Sequence, residues 1–236
     1  MQRQIEEVMQ HLDLTSVSLA LYHKVLSMKE KTPSPLETLT EIKQLMERSS
    51  RFISLSGLSG VFAGVYALAG AYAAYRYLNL EGLGYFSGEN FFERTRSTFP
   101  FLIIDALVIL ILAIGTGIYL TTRKAKKDGN SILDNTARKL LINLSIPLVT
   151  GGLFCIALIY HGAVLYVPPS MLVFYGLSLV HASSYTRNDI RLLGLTEIAL
   201  GLISLLIIGY GLFFWALGFG VLHIIYGTYM YYKYEV

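Results

Sequence analysis

Charged side chains are scarce in this 236-residue sequence. Asp, Glu, Lys and Arg make up 15% of the residues, hydrophobic residues make up 54%, and the mean hydropathy is +0.53. So little polar surface cannot cover a water-soluble globule of this size. The composition therefore predicts a membrane protein, with the lipid bilayer as its first partner.

Several residue patterns that carry known chemistry are also missing. A single cysteine, Cys155, excludes an intrachain disulfide and the paired-cysteine metal motifs. The sequence has no zinc-hydrolase histidine pair, nucleophile elbow or phosphate-binding glycine loop, and its net charge of +3 forms no basic stripe for nucleic acid. We therefore expect a protein that is not an enzyme and has no metal or cofactor. One alternative stays open, a haem b between His181 and His223.

Long apolar blocks recur along the chain. A helix needs about 20 apolar residues to cross about 30 Å of hydrocarbon. The chain divides into a polar segment, 1–50, and a bundle, 51–236, and the predicted fold is all-α with six transmembrane helices. Their predicted ranges are 53–75, 100–121, 140–160, 169–185, 190–209 and 211–232.

The basic residues predict the orientation of these spans. Cytoplasmic loops carry an excess of Lys and Arg. If the spans alternate, 16 of the 19 basic residues lie on one side, and the other side has Arg76, Arg94 and Arg96. The count places both termini in the cytoplasm, and we expect the bacterial inner membrane as the location.

The first fifty residues predict a cytoplasmic amphipathic helical hairpin. The second of its two stretches starts with Ser34 and Pro35, which suit a helix start, and Leu36, Leu39 and Ile42 follow at helical spacing. An apolar helix face must be buried against something. Two interpretations stay open: a cap on the membrane surface or on a sister subunit, and a docking site for a soluble protein.

Small residues form a stripe in the first span, with Gly60 and Gly64 at its centre. Small residues let helix backbones approach closely in a membrane, so this pair predicts tight helix packing. The same interpretation applies to a second set of glycines in the later spans: Gly115, Gly117, Gly151, Gly152, Gly218 and Gly220.

A few ionisable residues fall inside the predicted spans: Asp105, His181, Glu197 and His223. Each is costly near the bilayer centre unless it has a partner or water. Glu197 and His223 each lie thirteen residues from Tyr210, in the short turn between the last two spans, so the sequence predicts that they lie at one depth and interact. His181 is predicted to lie near the same depth and can join them. These four residues form the candidate buried cluster.

Two stretches carry a resemblance to other sequences. Residues Gly57 to Tyr72, and the hairpin from Asn188 to Gly227, resemble bacterial inner-membrane proteins of about this length and hypothetical function. The resemblance implies no activity. We therefore favour a non-enzymatic membrane module, a sensor, scaffold or regulatory protein whose residues 1–50 bind a cytoplasmic partner or a second copy. The alternative is a small proton-coupled transporter or channel that uses the four buried residues.

Overall fold

The computed structural model describes residues 56–80, 99–127 and 135–236, together with Leu36, Thr38, Leu39 and Ile42. Every regular element in these residues is a helix. Contacts divide the chain into two units, Met1–Ser49 and Ser50–Val236. The all-α prediction is therefore confirmed for the described residues, and most of the predicted N-terminal hairpin lies outside them.

Six long helices follow one another in the described part of the second unit. They are α1 (Gly57–Leu80), α2 (Phe99–Lys127), α3 (Asn135–Tyr160), α4 (Val167–Ala182), α5 (Asn188–Leu206) and α6 (Gly211–Tyr234). Single 3₁₀ turns, Val164–Tyr166 and Ser183–Tyr185, flank α4. Pro168 and Pro169 lie in the first turn of α4, where a proline removes no intrahelical hydrogen bond.

Five of these helices, all except α5, are long and apolar enough to cross a membrane. The 19 residues of α5 include three charged residues, Asp189, Arg191 and Glu197, and it is this number of charges within one membrane-length stretch that separates α5 from the other five helices. The described part of the chain is therefore polytopic in character, with five helices suited to lipid.

The helices of the second unit pack in a definite order. The α4–α5 contact is the most extensive, and α3 packs on α4. On the other side, α1 packs on α6 and α2 packs on α1, while α6 also meets α4 and α5. The four helices α1, α4, α5 and α6 thus form the centre of the bundle, and α2 and α3 lie outside it.

Glycines bring α1 and α6 together. A carbon added to Gly60 would lie 3.2 Å from the Cα atom of Gly227, and one added to Gly64 would lie 2.6 Å from the carbonyl oxygen of Gly220. The two backbones therefore touch at these positions. Gly60 and Gly64 serve packing within the chain, which is one of the uses their spacing predicts.

A second glycine contact joins α4 and α5, and the sequence analysis missed it. A carbon added to Gly176 would lie 2.5 Å from the carbonyl oxygen of Gly194, and one added to Gly194 would lie 2.7 Å from that of Gly176. Among the other glycines, Gly151, Gly218 and Gly220 meet neighbouring side chains. Three of the glycines take no part in packing among the described residues, because they have open space around them: Gly115, Gly117 and Gly152.

The outer surface of the bundle is apolar. Large hydrophobic side chains of α2 are half exposed or more, among them Ile104, Ile111 and Ile118. Exposed hydroxyl groups of α3 donate to backbone carbonyls of their own helix. The Thr150 hydroxyl donates to the carbonyl of Ile146 at 2.8 Å, and the Ser145 hydroxyl donates to the carbonyl of Leu141 at 2.7 Å. A surface that offers lipid few free polar groups supports membrane association.

Candidate functional site

The turn between α5 and α6 sets the depth of the candidate site. Helix α5 ends at Leu206, Gly209 adopts a left-handed conformation with φ +102°, and α6 starts at Gly211. The two helices therefore run antiparallel from a four-residue connection. This arrangement brings Glu197 and His223 together: the Oε1 atom of Glu197 lies 3.4 Å from the Nδ1 atom of His223. The predicted contact is present.

Both ring nitrogens of His223 have further partners. Nδ1 lies 2.9 Å from the carbonyl oxygen of Gly218, and Nε2 lies 2.8 Å from the hydroxyl of Tyr175 on α4. A carbonyl oxygen only accepts, so Nδ1 must carry the hydrogen of that bond. In the neutral ring Nε2 then accepts from the Tyr175 hydroxyl. His223 is thereby fixed between α4 and its own helix.

Helix α6 winds as a π-helix beside this site, over Ala216–Leu222. Such wider turns are rare and occur frequently at functional sites. Gly218 lies within the turn, and a carbon added there would collide with the Oε2 atom of Glu197 and the side chain of Leu172. The missing side chain at position 218 therefore leaves room for the buried carboxyl group.

The carboxyl group of Glu197 is buried without a hydrogen bond to any other part of the chain that the structure describes. Its residue is 0% exposed, and neither oxygen has a hydrogen-bond partner among the described residues. Buried polar atoms normally have such a partner, and a buried carboxylate without one costs several kcal/mol, roughly, in free energy. A buried carboxyl group without a hydrogen bond, next to a histidine, makes Glu197 and His223 the candidate functional site.

Aromatic rings close the site on one side. The ring of Phe219 is stacked on that of His223 with centroids 5.9 Å apart, and it lies 4.9 Å from the ring of Tyr175. Trp215 adds the next ring, 5.1 Å from Phe219. Trp215 is the one tryptophan of the sequence. It lies one aromatic ring away from the ionisable pair.

Two members of the predicted cluster lie elsewhere. His181 is exposed. Leu172, Tyr175 and Leu179 mark the side of α4 that faces the bundle, and the helical rotation places His181 on the opposite side. Its expected place beside Glu197 is wrong. The geometry does not favour the haem alternative either, because His181 is exposed and both ring nitrogens of His223 already have partners.

Asp105 lies against a different face of α1. Its side chain is half-buried against Gly70 of α1, where an added carbon would be 3.1 Å from Oδ2. Gly64, which lies beside Gly220 of α6, is turned from Gly70 by about 120° around the helix axis. Helix α1 therefore lies between Asp105 and the Glu197–His223 pair, and Asp105 does not belong to the same cluster. Among the described residues, no three His, Cys, Asp or Glu side chains come together as a metal site would need.

A second carboxyl group on α5, Asp189, has the opposite surroundings. Lys233 donates to both its oxygens at 3.1 and 3.3 Å, and the Tyr234 hydroxyl donates at 2.6 Å. Burial opposes ionisation, but these hydrogen bonds and the charges of Lys233 and Arg187 outweigh it and lower the pKa of Asp189. These contacts tie the start of α5 to the end of α6.

Glu235 makes a similar connection at the start of α1. Its carboxylate accepts from the backbone N–H of Gly57 at 2.5 Å and from the Ser56 hydroxyl at 3.3 Å. It also pairs with Lys124 of α2 at 3.1 Å. A carboxylate suits the free N–H groups at a helix start. The sequence analysis missed this cap, because no local spacing relates residues 178 positions apart.

Comparison with protein-family models, with curated proteins and with solved structures finds no match to the chain. The fold by itself defines an all-helical bundle in which five described helices are suited to a membrane.

Proposed function

We propose that this chain is a non-enzymatic sensor or regulatory module of the bacterial inner membrane. One observation supports this proposal above all: the Glu197–His223 pair is sealed inside the helices, with Glu197 0% exposed. A sealed ionisable pair can change its charge and the packing around it. It offers no open surface on which a substrate could bind and react.

In this module all six long helices cross the membrane, including α5. Its three charges are compatible with a crossing: Asp189 is paired with Lys233, Glu197 is buried, and Arg191 lies in the first turn, where a long side chain can reach the headgroups. Six crossings place both termini on one side, and the Lys and Arg count makes this side the cytoplasm.

Thiol labelling tests this topology in intact cells. Single cysteines at Ser131, Asn188 and Ser87 are introduced into a Cys155→Ala background. A reagent that does not cross the membrane should label only the Ser87 position. Labelling of the Ser131 and Asn188 positions instead would invert the orientation, and labelling of all three would contradict the six-span topology.

The N-terminal segment is proposed to be the output of the module. Leu36, Leu39 and Ile42 are helical and are 77%, 64% and 48% exposed. An exposed apolar row at helical spacing supports association with a cytoplasmic protein or a second copy. Replacing all three residues by Ser in the full-length chain should abolish co-purification of a partner or self-association. If the triple variant still binds the partner or a second copy as the wild type does, these three residues do not form the docking site.

The alternative is a small proton-coupled transporter or channel. The unbonded oxygens of Glu197 favour it, because a transported ion could use them. The predicted residues do not form a continuous route, however, because His181 is exposed and Asp105 lies against a different face of α1 from the one that packs on α6. A cavity of about 360 Å³ between α1 and the start of α6 is lined by Leu68, Tyr72, Tyr210 and five others, with no acidic or basic residue.

Flux measurements separate the two functions. Purified protein in proteoliposomes is tested for proton and solute flux, beside Glu197→Gln and empty liposomes. Flux that depends on Glu197 would establish the transporter. Flux equal to that of empty liposomes would exclude it and leave the sealed module.

A further inference from the structure

We infer that Glu197, His223 and Tyr175 hold one exchangeable proton, and that its loss loosens the packing of α5 against the π-helical turn of α6. This inference rests on the proposed function, because it names the stimulus that the module senses. It is carried by the geometry of three side chains from three helices, α4, α5 and α6.

The hydrogen bonds allow two arrangements with the same number of protons. In one, the His223 ring is neutral, Tyr175 donates to Nε2, and Glu197 is protonated. In the other, the ring is cationic, Nε2 donates to Tyr175, and the Nδ1 hydrogen is shared between the Gly218 carbonyl, at 2.9 Å, and ionised Glu197, at 3.4 Å. Both arrangements are electrically neutral, so both suit a site closed to water.

Removing one proton from either arrangement leaves a different site. The ring is then neutral, and Glu197 is ionised inside the bundle with no other hydrogen-bond donor among the described residues. A lone buried charge is strongly unfavourable. The structure relieves it by admitting water or by separating the helices, and either response changes the packing of α5 against α6.

The space around Glu197 favours a proton over a larger cation. The side chain of Leu172 lies 2.5 Å from the place where a carbon on Gly218 would be, and Oε2 of Glu197 lies closer still. The carboxyl group is therefore packed against backbone and a side chain that is 0% exposed. A proton needs no additional volume and no further ligands.

The π-helical turn connects this proton to the rest of the bundle. Gly218 lies against Glu197, and Gly220, two residues later, lies in the contact between α6 and α1, beside Gly64. Movement of the carboxyl group therefore acts on the same turn that α1 packs against. Helix α1 leads back along the chain to the N-terminal unit.

The other titratable groups named on the surrounding helices bond to different partners or lie on the surface. On α5, Asp189 is held by Lys233 and Tyr234. On α1, Arg76 is exposed near the end of that helix. From α4, the group that reaches the site is Tyr175. These placements assign a pH response of the bundle interior to the Glu197 site.

Trp215 provides a direct probe of this inference. Its ring contacts Phe219, which is stacked on His223, so its emission reports the charge and packing of the pair. The full-length protein in lipid nanodiscs is titrated from about pH 5 to about pH 10. We expect one transition with the steepness of a single proton. Glu197→Gln should remove the transition or shift its midpoint by about one pH unit or more.

The matched control is His181→Gln, which changes the exposed histidine of α4 and should leave the transition unchanged. Tyr175→Phe removes one hydroxyl and retains the ring, so it serves if Glu197→Gln does not fold, and it should also move the midpoint. A transition identical in wild type and Tyr175→Phe would overturn the inference, as would no transition in wild type. A transition that occurs only in the presence of sodium or potassium would show that the site binds a metal cation and would contradict the inference.

The titration needs neither a partner nor an intact N-terminal segment. A Trp215 transition together with failed topology labelling would therefore refute the proposed module and leave the proton site standing. Labelling as predicted, together with no Trp215 transition, would refute the proton site and leave the proposed module standing.

Discussion

The central helices and the outer helices of this bundle differ in a way that reverses the pattern of soluble proteins. Helices α2 and α3 are the most apolar of the five membrane-suited helices, yet 0% and 6% of their most apolar stretches are buried, against 33% for α1 and for the stretch containing α4. The buried helices instead carry the close glycines and the ionisable pair. In this bundle, burial follows small size and polarity, and lipid takes the place of the apolar core.

The comparison is sharpest between two glycines. A Cβ atom at position 64 would meet the backbone of Gly220 and the side chain of Ile224, whereas a Cβ atom at position 117 would meet nothing within 4 Å. We expect Gly64→Leu to lower the free energy of unfolding by about 1–3 kcal/mol or more, and Gly117→Leu to change it little. Thermal unfolding in detergent measures both. Equal melting temperatures for the two variants would abolish the distinction between central and outer helices.

The ion pair at the end of the central helices should have a smaller effect. Asp189→Asn removes a charged acceptor from Lys233 and Tyr234, and for a pair in contact with solvent we expect a loss of about 1 kcal/mol near pH 7. Because folding lowers the pKa of Asp189, this stabilisation is complete above the ordinary carboxyl pKa of about 4 and is lost as the pH falls through the folded value.

Melting curves between about pH 3 and pH 7 check the sign. The wild type and Asp189→Asn should differ at neutral pH and converge in acid. Asp105→Asn, on outer helix α2, is the comparison variant. A difference between wild type and Asp189→Asn that grows in acid would contradict the assignment.

Glu197 and His223 should be energetically coupled. A double-mutant cycle with Glu197→Gln and His223→Gln should give a coupling free energy of at least about 0.5 kcal/mol, because each residue changes the charge that the other faces at 3.4 Å. The same cycle on Asp105 and His181, which do not meet, should be additive. Additivity in both cycles would show that the central pair is no more coupled than the outer residues.

The smallest effect is expected on the outer surface. The Thr150 hydroxyl of α3 bonds to the Ile146 carbonyl of its own helix and touches no other helix through that bond. Thr150→Val should therefore change stability by less than about 0.5 kcal/mol. A loss above 1 kcal/mol, roughly, in the melting experiment would show that this face of α3 is buried by another molecule.

Residue counting predicted distances along helices better than rotations about them. The equal spacing of Glu197 and His223 from Tyr210 predicted their common depth, because each residue adds the same rise, and the cost of two unpaired ionisable groups in a bilayer predicted their contact. The same argument failed for His181, since depth says nothing about which side of α4 faces inward. Tyr175 lies six residues earlier on that helix and reaches His223 instead.

Helix ranges were also largely predictable, and their ends were less so. The predicted second span, 100–121, lies within α2, which continues to Lys127, because the polar residues that end an apolar block do not end a helix. The glycine spacing of α1 predicted a close contact, but the partner glycines of α4 and α5 had no comparable signal. Contacts between distant positions, such as Gly176 with Gly194, arise from the crossing of helices and not from either sequence alone.

The cap on α1 has a consequence for the order of events during biosynthesis. Gly57 is translated early, but the carboxylate that accepts its N–H belongs to Glu235, 178 positions later. The N–H of Gly57 therefore lacks this acceptor until the ribosome has made residue 235, just after α6. Since chains emerge at about 5–20 residues per second, this interval lasts on the order of ten seconds or more. Formation of this cap is thus timed by the synthesis of Glu235 and not by the insertion of the first helix.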